Sequence, residues 1–150
     1  MNKLTNSEED QKIRAVLQVL QDSGLIKKYQ GACTSASKIL FSLLLQNGIK
    51  SKVAICSTML RLHEPNKPQK LIVIGFAETT KLKDNEEDLH AVVITDTSTP
   101  WLIDTSIGNW LPTEEKIICE PADENGIHLG NYSNPLYSIT YTKRTLTYDD

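Results

Sequence analysis

The sequence has little cysteine, and its few cysteines are poorly spaced for cross-linking or metal binding. Its 150 residues include three cysteines, Cys33, Cys56 and Cys119, with no C-x-x-C pair among them. An odd number without such a pair gives no support to a disulfide framework or a zinc knuckle. It is typical of a protein from a reducing compartment. We therefore expect no metal site.

Long apolar runs are also lacking. No stretch reaches the length needed to span a membrane. The first 30 residues carry Ser7-Glu8-Glu9-Asp10 where a signal peptide would need an apolar core. These two features predict a cytoplasmic protein without a membrane partner.

An excess of positive charge is absent too. Lys and Arg number 16 against 19 Asp and Glu, a formal net charge of −3, which argues against a nucleic-acid partner. Residues 1–75 hold 11 basic and 5 acidic side chains, and residues 76–150 hold 5 and 14. This asymmetry predicts a two-sided surface. No glycine-rich phosphate loop or dinucleotide fingerprint is present, so we expect no cofactor.

Length and composition predict a single domain over residues 1–150. The chain is 39% hydrophobic and 23% charged, as expected of a globular protein. It is long enough to bury a core without disulfides.

Two helices are predicted in the first third of the chain. Ser7 is a good N-cap before an acidic first turn, apolar residues then recur at helical spacing, and Gly24 ends the helix. The second helix covers residues 33–47 and closes at Gly48. Its apolar stripe is broad, which indicates a buried helix.

The rest of the chain favours β-strands. Runs rich in β-branched residues or with alternating apolar residues predict strands at residues 52–62, 71–77, 89–95, 101–104 and 136–142. Residues 63–70 and 81–88 are charged loops, residues 113–120 fit a short strand or a turn, and residues 121–135 are predicted as loop. The order predicts an α+β fold in which N-terminal helices pack on an antiparallel β-sheet, arranged as a meander.

Cys33 is a candidate nucleophile because it starts the second helix. Backbone N–H groups and the helix dipole stabilise a thiolate at that position. The alternative is a small buried residue that packs well.

His90 and Asp104 fit the roles of base and orienting group. His90 opens one predicted strand and Asp104 closes the next. If the connecting turn is centred on Thr97, the two are direct cross-strand neighbours, about 5 Å apart at Cβ. This pairing depends on the register. The alternatives are a core histidine satisfied by backbone and an aspartate that starts a turn.

The order of these three residues resembles the transglutaminase-like superfamily of papain-type thiol enzymes. That group includes transglutaminases, peptide N-glycanases, arylamine N-acetyltransferases and microbial cysteine peptidases. The similarity covers about residues 29–108, and Thr34 stands where the family often has an aromatic residue. The segments that carry it are Gly31-x-Cys33, Asn47-Gly48-Ile49, Leu89-His90-Ala91-Val92 and Trp101-Leu102-Ile103-Asp104.

The resemblance implies a papain/transglutaminase-like core and a catalytic triad. Cys33 is then the nucleophile, His90 the base and later the acid, and Asp104 the orienting group. The Cys33 N–H is the natural first oxyanion donor, and Gln30 is a candidate second donor.

The remaining candidates are aromatic residues and thiols. Trp101 and Trp110 flank Asp104 and either pack in the core or wall a substrate cleft. Cys56 and Cys119 are predicted to be core residues. His63 and His128 lie in predicted loops without a partner at suggestive spacing.

These observations predict a cysteine-dependent acyl-transfer enzyme without a cofactor. Hydrolysis of an amide in a peptide or protein substrate, through an acyl-thioester, is favoured over transfer, because so small a chain has little room for a second substrate site. The alternative is a binding or inhibitory module on the same fold. The oligomeric state and the identity of the substrate do not follow from the sequence.

Overall fold

A computed structural model describes residues 3–28, 33–75 and 90–144. Helices come first and strands follow, so the α+β class is confirmed. The elements in chain order are α1 (Glu8–Asp22), α2 (Leu25–Lys28), α3 (Cys33–Gln46), β1 (Ser51–Leu62), β2 (Lys70–Ile74), β3 (His90–Thr95), β4 (Trp101–Asp104), a 3-10 helix (Ile107–Trp110), β5 (Ile118–Pro121), β6 (His128–Ser133) and β7 (Tyr137–Lys143).

The helix ends follow the predicted signals. The Ser7 side chain accepts a hydrogen bond from the Asp10 N–H at 3.2 Å and so caps α1. Gly48 follows α3 with φ +80°, and the Ile49 N–H bonds back to the Leu44 carbonyl, which closes the helix in a Schellman turn. In the part of the chain that the structure describes, no helix is long and apolar enough to cross a membrane.

The long strand β1 organises the antiparallel sheet. Its first half, residues 51–56, pairs with β3, and residues 58–62 pair with β2, so β2 and β3 lie end to end along one edge of β1. On its other edge β1 pairs with β7. The strand order is β5-β4-β3-β1-β7-β6, and the chain after β5 bonds to β6, where the Asp123 N–H reaches the Leu129 carbonyl at 2.8 Å. The sheet is therefore a nearly closed barrel rather than a simple meander.

Two apolar cores lie on opposite faces of this sheet. The outer core fills the space between the helices and the sheet, and its members include Ile13, Leu17, Leu40, Leu44, Val93, Trp101 and Ile103. The inner core fills the barrel, and its members include Cys56, Leu60, Val92, Ile94, Leu102, Tyr137, Ile139 and Tyr141.

Strand β6 is the main element that the sequence did not predict, since residues 121–135 were expected to be loop. Its sequence, HLGNYS, has little β-branched character. It is held as a strand by pairing with β7, with a register shift between His128 and Gly130. A Cβ at Gly130 would lie 3.3 Å from a methyl of Leu102. Tertiary contacts therefore define this strand.

Candidate functional site

His90 and Asp104 meet as predicted. His90 is the first residue of β3 and Asp104 the last of β4, so both lie at the same end of the barrel. The His90 Nε2 atom is 2.7 Å from Asp104 Oδ2. The two side chains are almost fully buried, with 4% and 0% of their surface exposed. The structure thus holds a buried imidazole–carboxylate pair.

The predicted register of this hairpin is wrong. The cross-strand pairs are Val93 with Ile103 and Ile94 with Leu102, so the turn is centred on Ser98 rather than Thr97. The pairing is offset by two residues from the expected one. Because side chains alternate with a period of two, this offset keeps His90 and Asp104 on one face. They meet diagonally rather than directly.

Asp104 is held at both carboxylate oxygens. Its Oδ1 accepts the N–H groups of Ser106 at 3.0 Å and Ile107 at 3.2 Å, together with the Ser106 hydroxyl at 3.3 Å. Its Oδ2 accepts the Tyr141 hydroxyl at 2.8 Å as well as His90. Burial alone would raise the pKa of Asp104, but the His90 charge and these hydrogen bonds outweigh it and lower that pKa.

The protonation of Asp104 determines the tautomer of His90. An ionised carboxylate can only accept hydrogen bonds, so the His90 nitrogen that faces it, Nε2, carries the proton. In the neutral ring, Nδ1 then has the lone pair. Nδ1 is therefore the atom through which His90 can take up a proton.

His90 and Asp104 face the inner core, whereas α3 covers the outer face of the sheet. His90 alternates with Ala91 and so shares its face with Val92, an inner-core residue. Asp104 shares the inner face with Leu102. The helix that begins at Cys33 contacts β3, but the His90 and Asp104 side chains point to the other side of the sheet. Any approach of Cys33 to His90 is therefore at the rim of the barrel.

Cys33 begins α3, as predicted, and its side chain lies outside the described residues. One turn later, the buried Ser37 hydroxyl donates to the Ala91 carbonyl at 3.1 Å, next to His90. Ala36 also lines a cavity of about 10 Å³ together with Thr105, the neighbour of Asp104. The start of α3 therefore lies at the end of the barrel that holds His90 and Asp104.

The three candidate substrate-binding residues have different outcomes. Gln30 lies outside the described residues. Trp101 is 2% exposed in the outer core, and its indole N–H donates to Asp10 at 2.9 Å, so the structure places it in the core and corrects its assignment to a cleft wall. Trp110 is 39% exposed in the 3-10 helix that follows Asp104. Its role at a substrate cleft stays a prediction.

The other two cysteines are buried thiols, as expected of core residues. Cys56 is directly opposite His90 in the ladder between β1 and β3, and its Sγ lies 3.6 Å from Thr58 Oγ1. Cys119 lies in the outer core, where burial raises the pKa of its thiol to about 12. Cys56 is therefore the described thiol whose backbone position is closest to the imidazole.

Tyr141 is the site residue that sequence reasoning missed. It lies on β7, and its ring stacks on the His90 ring with 6.2 Å between centroids. Burial and the charge of Asp104 raise the pKa of its phenol well above the usual value. The alternation Tyr137, Ile139, Tyr141 marks an inward face, and a buried phenol there needs a hydrogen-bond partner. That signal could have pointed to a buried acceptor.

In residues 3–28, 33–75 and 90–144, no group of three or more His, Cys, Asp and Glu side chains is arranged to hold a metal ion.

Comparison with known proteins finds no matching family model, no matching curated protein and no matching solved structure. The resemblance to transglutaminase-like enzymes therefore stays a prediction, and the site has to be interpreted from its own geometry.

Proposed function

We propose that this protein is a cysteine-dependent acyl-transfer enzyme of papain/transglutaminase-like fold, acting most simply as an amide hydrolase on a peptide or protein. Cys33 is the nucleophile, His90 the base and acid, and Asp104 the orienting group. The buried hydrogen bond between His90 and Asp104 carries the proposal. The odd number of cysteines without a C-x-x-C pair supports a cytoplasmic location.

Thiol catalysis needs a nucleophile, a base and a group that orients the base. The hydrogen-bonded pair of His90 and Asp104 supplies the base and the orienting group. The carboxylate holds the Nε2 proton and so directs the Nδ1 lone pair away from itself. It also stabilises the imidazolium that forms when Nδ1 takes a proton. A buried pair of this kind, with a perturbed carboxylate pKa, is typical of functional sites.

The proposed reaction has two halves. His90 Nδ1 takes the Cys33 thiol proton, the sulfur attacks the substrate carbonyl carbon, and the new oxyanion faces the Cys33 backbone N–H at the start of α3. The C–N bond then breaks as Nδ1–H gives its proton to the departing amine, leaving an acyl-thioester. In the second half His90 Nδ1 takes a proton from water and the resulting hydroxide adds to the acyl carbon. The C–S bond then breaks as Nδ1–H returns its proton to the sulfur, which releases the thiol and a carboxylic acid.

The second candidate function is a binding or inhibitory module on the same fold. The observation that favours it is burial, since only 4% and 0% of the His90 and Asp104 side-chain surfaces are exposed. A network so well shielded can serve stability alone. The reactivity of Cys33 separates the two candidates.

The test is the alkylation rate of each cysteine with iodoacetamide between pH 5 and 9, determined by peptide mass mapping. Cys119 is an internal reference for a buried, unreactive thiol. We expect Cys33 to react at least about tenfold faster than Cys119 at pH 6, because an imidazole-paired thiolate persists well below the ordinary thiol pKa of about 8.5. Incubation with p-nitrophenyl acetate should then leave one acetyl group on Cys33.

His90→Ala should remove this enhanced reactivity. The matched control is His128→Ala, which deletes an exposed histidine on β6 that bonds to Thr142. It should leave the Cys33 rate unchanged. An unreactive Cys33 in the folded wild type would contradict the enzyme proposal and favour the binding module. Rapid alkylation of Cys56 instead would move the nucleophile to β1.

A further inference from the structure

Tyr141 reaches the candidate triad from the far side of β1. It pairs with Thr58 of β1 in the ladder of β7, whereas His90 pairs with Cys56 on the opposite edge of β1. The Tyr141 ring crosses over β1 inside the barrel and lies on the His90 ring at an interplanar angle of 24°. This contact fixes one face of the imidazole.

The Tyr141 hydroxyl continues past His90 to the carboxylate. It donates to Asp104 Oδ2 at 2.8 Å, and the same oxygen accepts His90 Nε2–H at 2.7 Å. The other oxygen, Oδ1, is occupied by the N–H groups of Ser106 and Ile107. The carboxylate therefore cannot rotate without losing at least one charge-assisted hydrogen bond.

The pKa shifts of Tyr141 and Asp104 identify one donor and one acceptor in this network. Burial and the Asp104 charge raise the pKa of the Tyr141 phenol, so it keeps its proton and donates. The pKa of Asp104 is lowered by His90 and its hydrogen-bond donors, so it accepts. Two donors thus converge on one anionic oxygen, and both are buried away from competing water.

We propose that Tyr141 is a positioning residue, which acts on His90 through the Asp104 oxygen that the two share. By holding Oδ2 and covering the imidazole face, it keeps His90 in the Nε2–H tautomer, in which Nδ1 carries the lone pair. The catalytic consequence rests on the proposed function, but the effect on the His90 ring does not.

Tyr137 offers a matched control on the same strand. It faces the same inner core, is fully buried and stacks on Tyr132 at 5.6 Å. Its hydroxyl donates to Glu115 instead of Asp104. Tyr137→Phe therefore deletes a buried phenol that is bonded to a carboxylate, and it leaves the His90 network intact.

The experiment combines ¹⁵N NMR of the His90 ring with steady-state hydrolysis of p-nitrophenyl acetate. Tyr141→Phe should convert the neutral ring from the Nε2–H form to a mixture of tautomers. It should also lower kcat about tenfold, the loss expected for one charged hydrogen bond, with KM unchanged. Tyr137→Phe should change neither quantity.

A measurement on the intact packing covers the case in which Tyr141→Phe does not fold. Replacing all tyrosines by 3-fluorotyrosine makes the phenol a stronger donor without deleting it, and the His90 Nε2–H proton resonance should then shift. An unshifted resonance, or a His90 ring equally disturbed by Tyr137→Phe, would overturn the inference. If Tyr141→Phe changes the tautomer of His90 while the wild type has no esterase activity, the positioning role holds and the enzyme proposal is rejected.

Discussion

Among the described residues, each face of the sheet buries one aspartate, and the two are used differently. Asp10, in the first turn of α1, faces the outer core and accepts the backbone and hydroxyl groups of Thr5 at 2.8 and 2.7 Å. Its other oxygen accepts the Trp101 indole N–H. Asp104, on the inner side, accepts from His90 and Tyr141, which lie 14 and 37 residues away in the chain.

The difference lies in the chemistry of the partners. Thr5 and Trp101 do not titrate near neutral pH, so the Asp10 contacts fix the start of α1 against the sheet and do nothing further. His90, in contrast, has a ring nitrogen that can accept a proton and return it. The outer core therefore uses its carboxylate for structure, whereas the inner core builds its carboxylate into a group that can carry chemistry.

Removing each carboxylate should separate these roles and give the largest effect on stability. Asp104→Ala leaves a histidine, a tyrosine and two amide donors buried without their acceptor, and we expect a loss of about 3–5 kcal/mol in the free energy of unfolding. Asp10→Ala should cost about 1–3 kcal/mol, since fewer and partly exposed donors lose a partner. Urea titration measures both. Equal losses would contradict the comparison.

The pH dependence of stability tests the same comparison between Asp104 and Asp10. The folded-state pKa of Asp104 lies below its unfolded value, so its contribution is present above an unfolded pKa of about 3.9 and is lost as pH falls through the folded pKa. We expect the free-energy difference between wild type and Asp104→Asn to be largest near pH 7 and to shrink below about pH 4. Urea unfolding at several pH values measures it.

Asp10→Asn provides the comparison for this titration. The pKa of Asp10 is also lowered, because hydrogen bonds from Thr5 and Trp101 outweigh its burial. The contribution of Asp10 to stability should therefore also decrease as the pH falls. In Asp10→Asn, the alkylation rate of Cys33 should stay at the wild-type value. A pH-independent difference between wild type and Asp104→Asn would contradict a lowered pKa.

Local sequence signals predicted α1, α3, most strands and the contact between His90 and Asp104, but not the short helix α2. Caps, helical spacing and a turn-rich segment between two apolar strands act over short distances, so they can be read without the fold. The predicted register was wrong: in the structure the Thr95 hydroxyl accepts the Trp101 N–H at 2.9 Å, and the turn is centred on Ser98. That choice depends on side-chain geometry.

The parts that sequence did not predict depend on distant strands. Strand β6 exists through pairing with β7, and Tyr141 reaches Asp104 only because β1 brings β7 and β3 together. The placement of His90 and Asp104 on the inner face likewise depends on the closure of the sheet into a barrel. None of these has a local signature, since each joins segments far apart in the chain.

The smallest expected effect concerns the link between the two faces. Ser37 is buried, and its hydroxyl ties α3 on the outer side to the Ala91 carbonyl beside His90. Ser37→Ala should lower the free energy of unfolding by about 1 kcal/mol, the usual net value of one hydrogen bond. It should also slow the alkylation of Cys33, because α3 is then less firmly seated at the rim. Ser42→Ala, on an exposed position of the same helix, is the control.

Urea unfolding and site-resolved alkylation of the two serine variants give the answer together. If Ser37→Ala destabilises the fold and slows Cys33 while Ser42→Ala does neither, the position of the helix determines the reactivity of its first residue. If Ser37→Ala lowers the stability and leaves the alkylation rate of Cys33 unchanged, the reactivity of the thiol does not depend on how α3 is held against β3. The imidazole of the inner face and the cysteine of the outer face would then be independent, against the proposed triad.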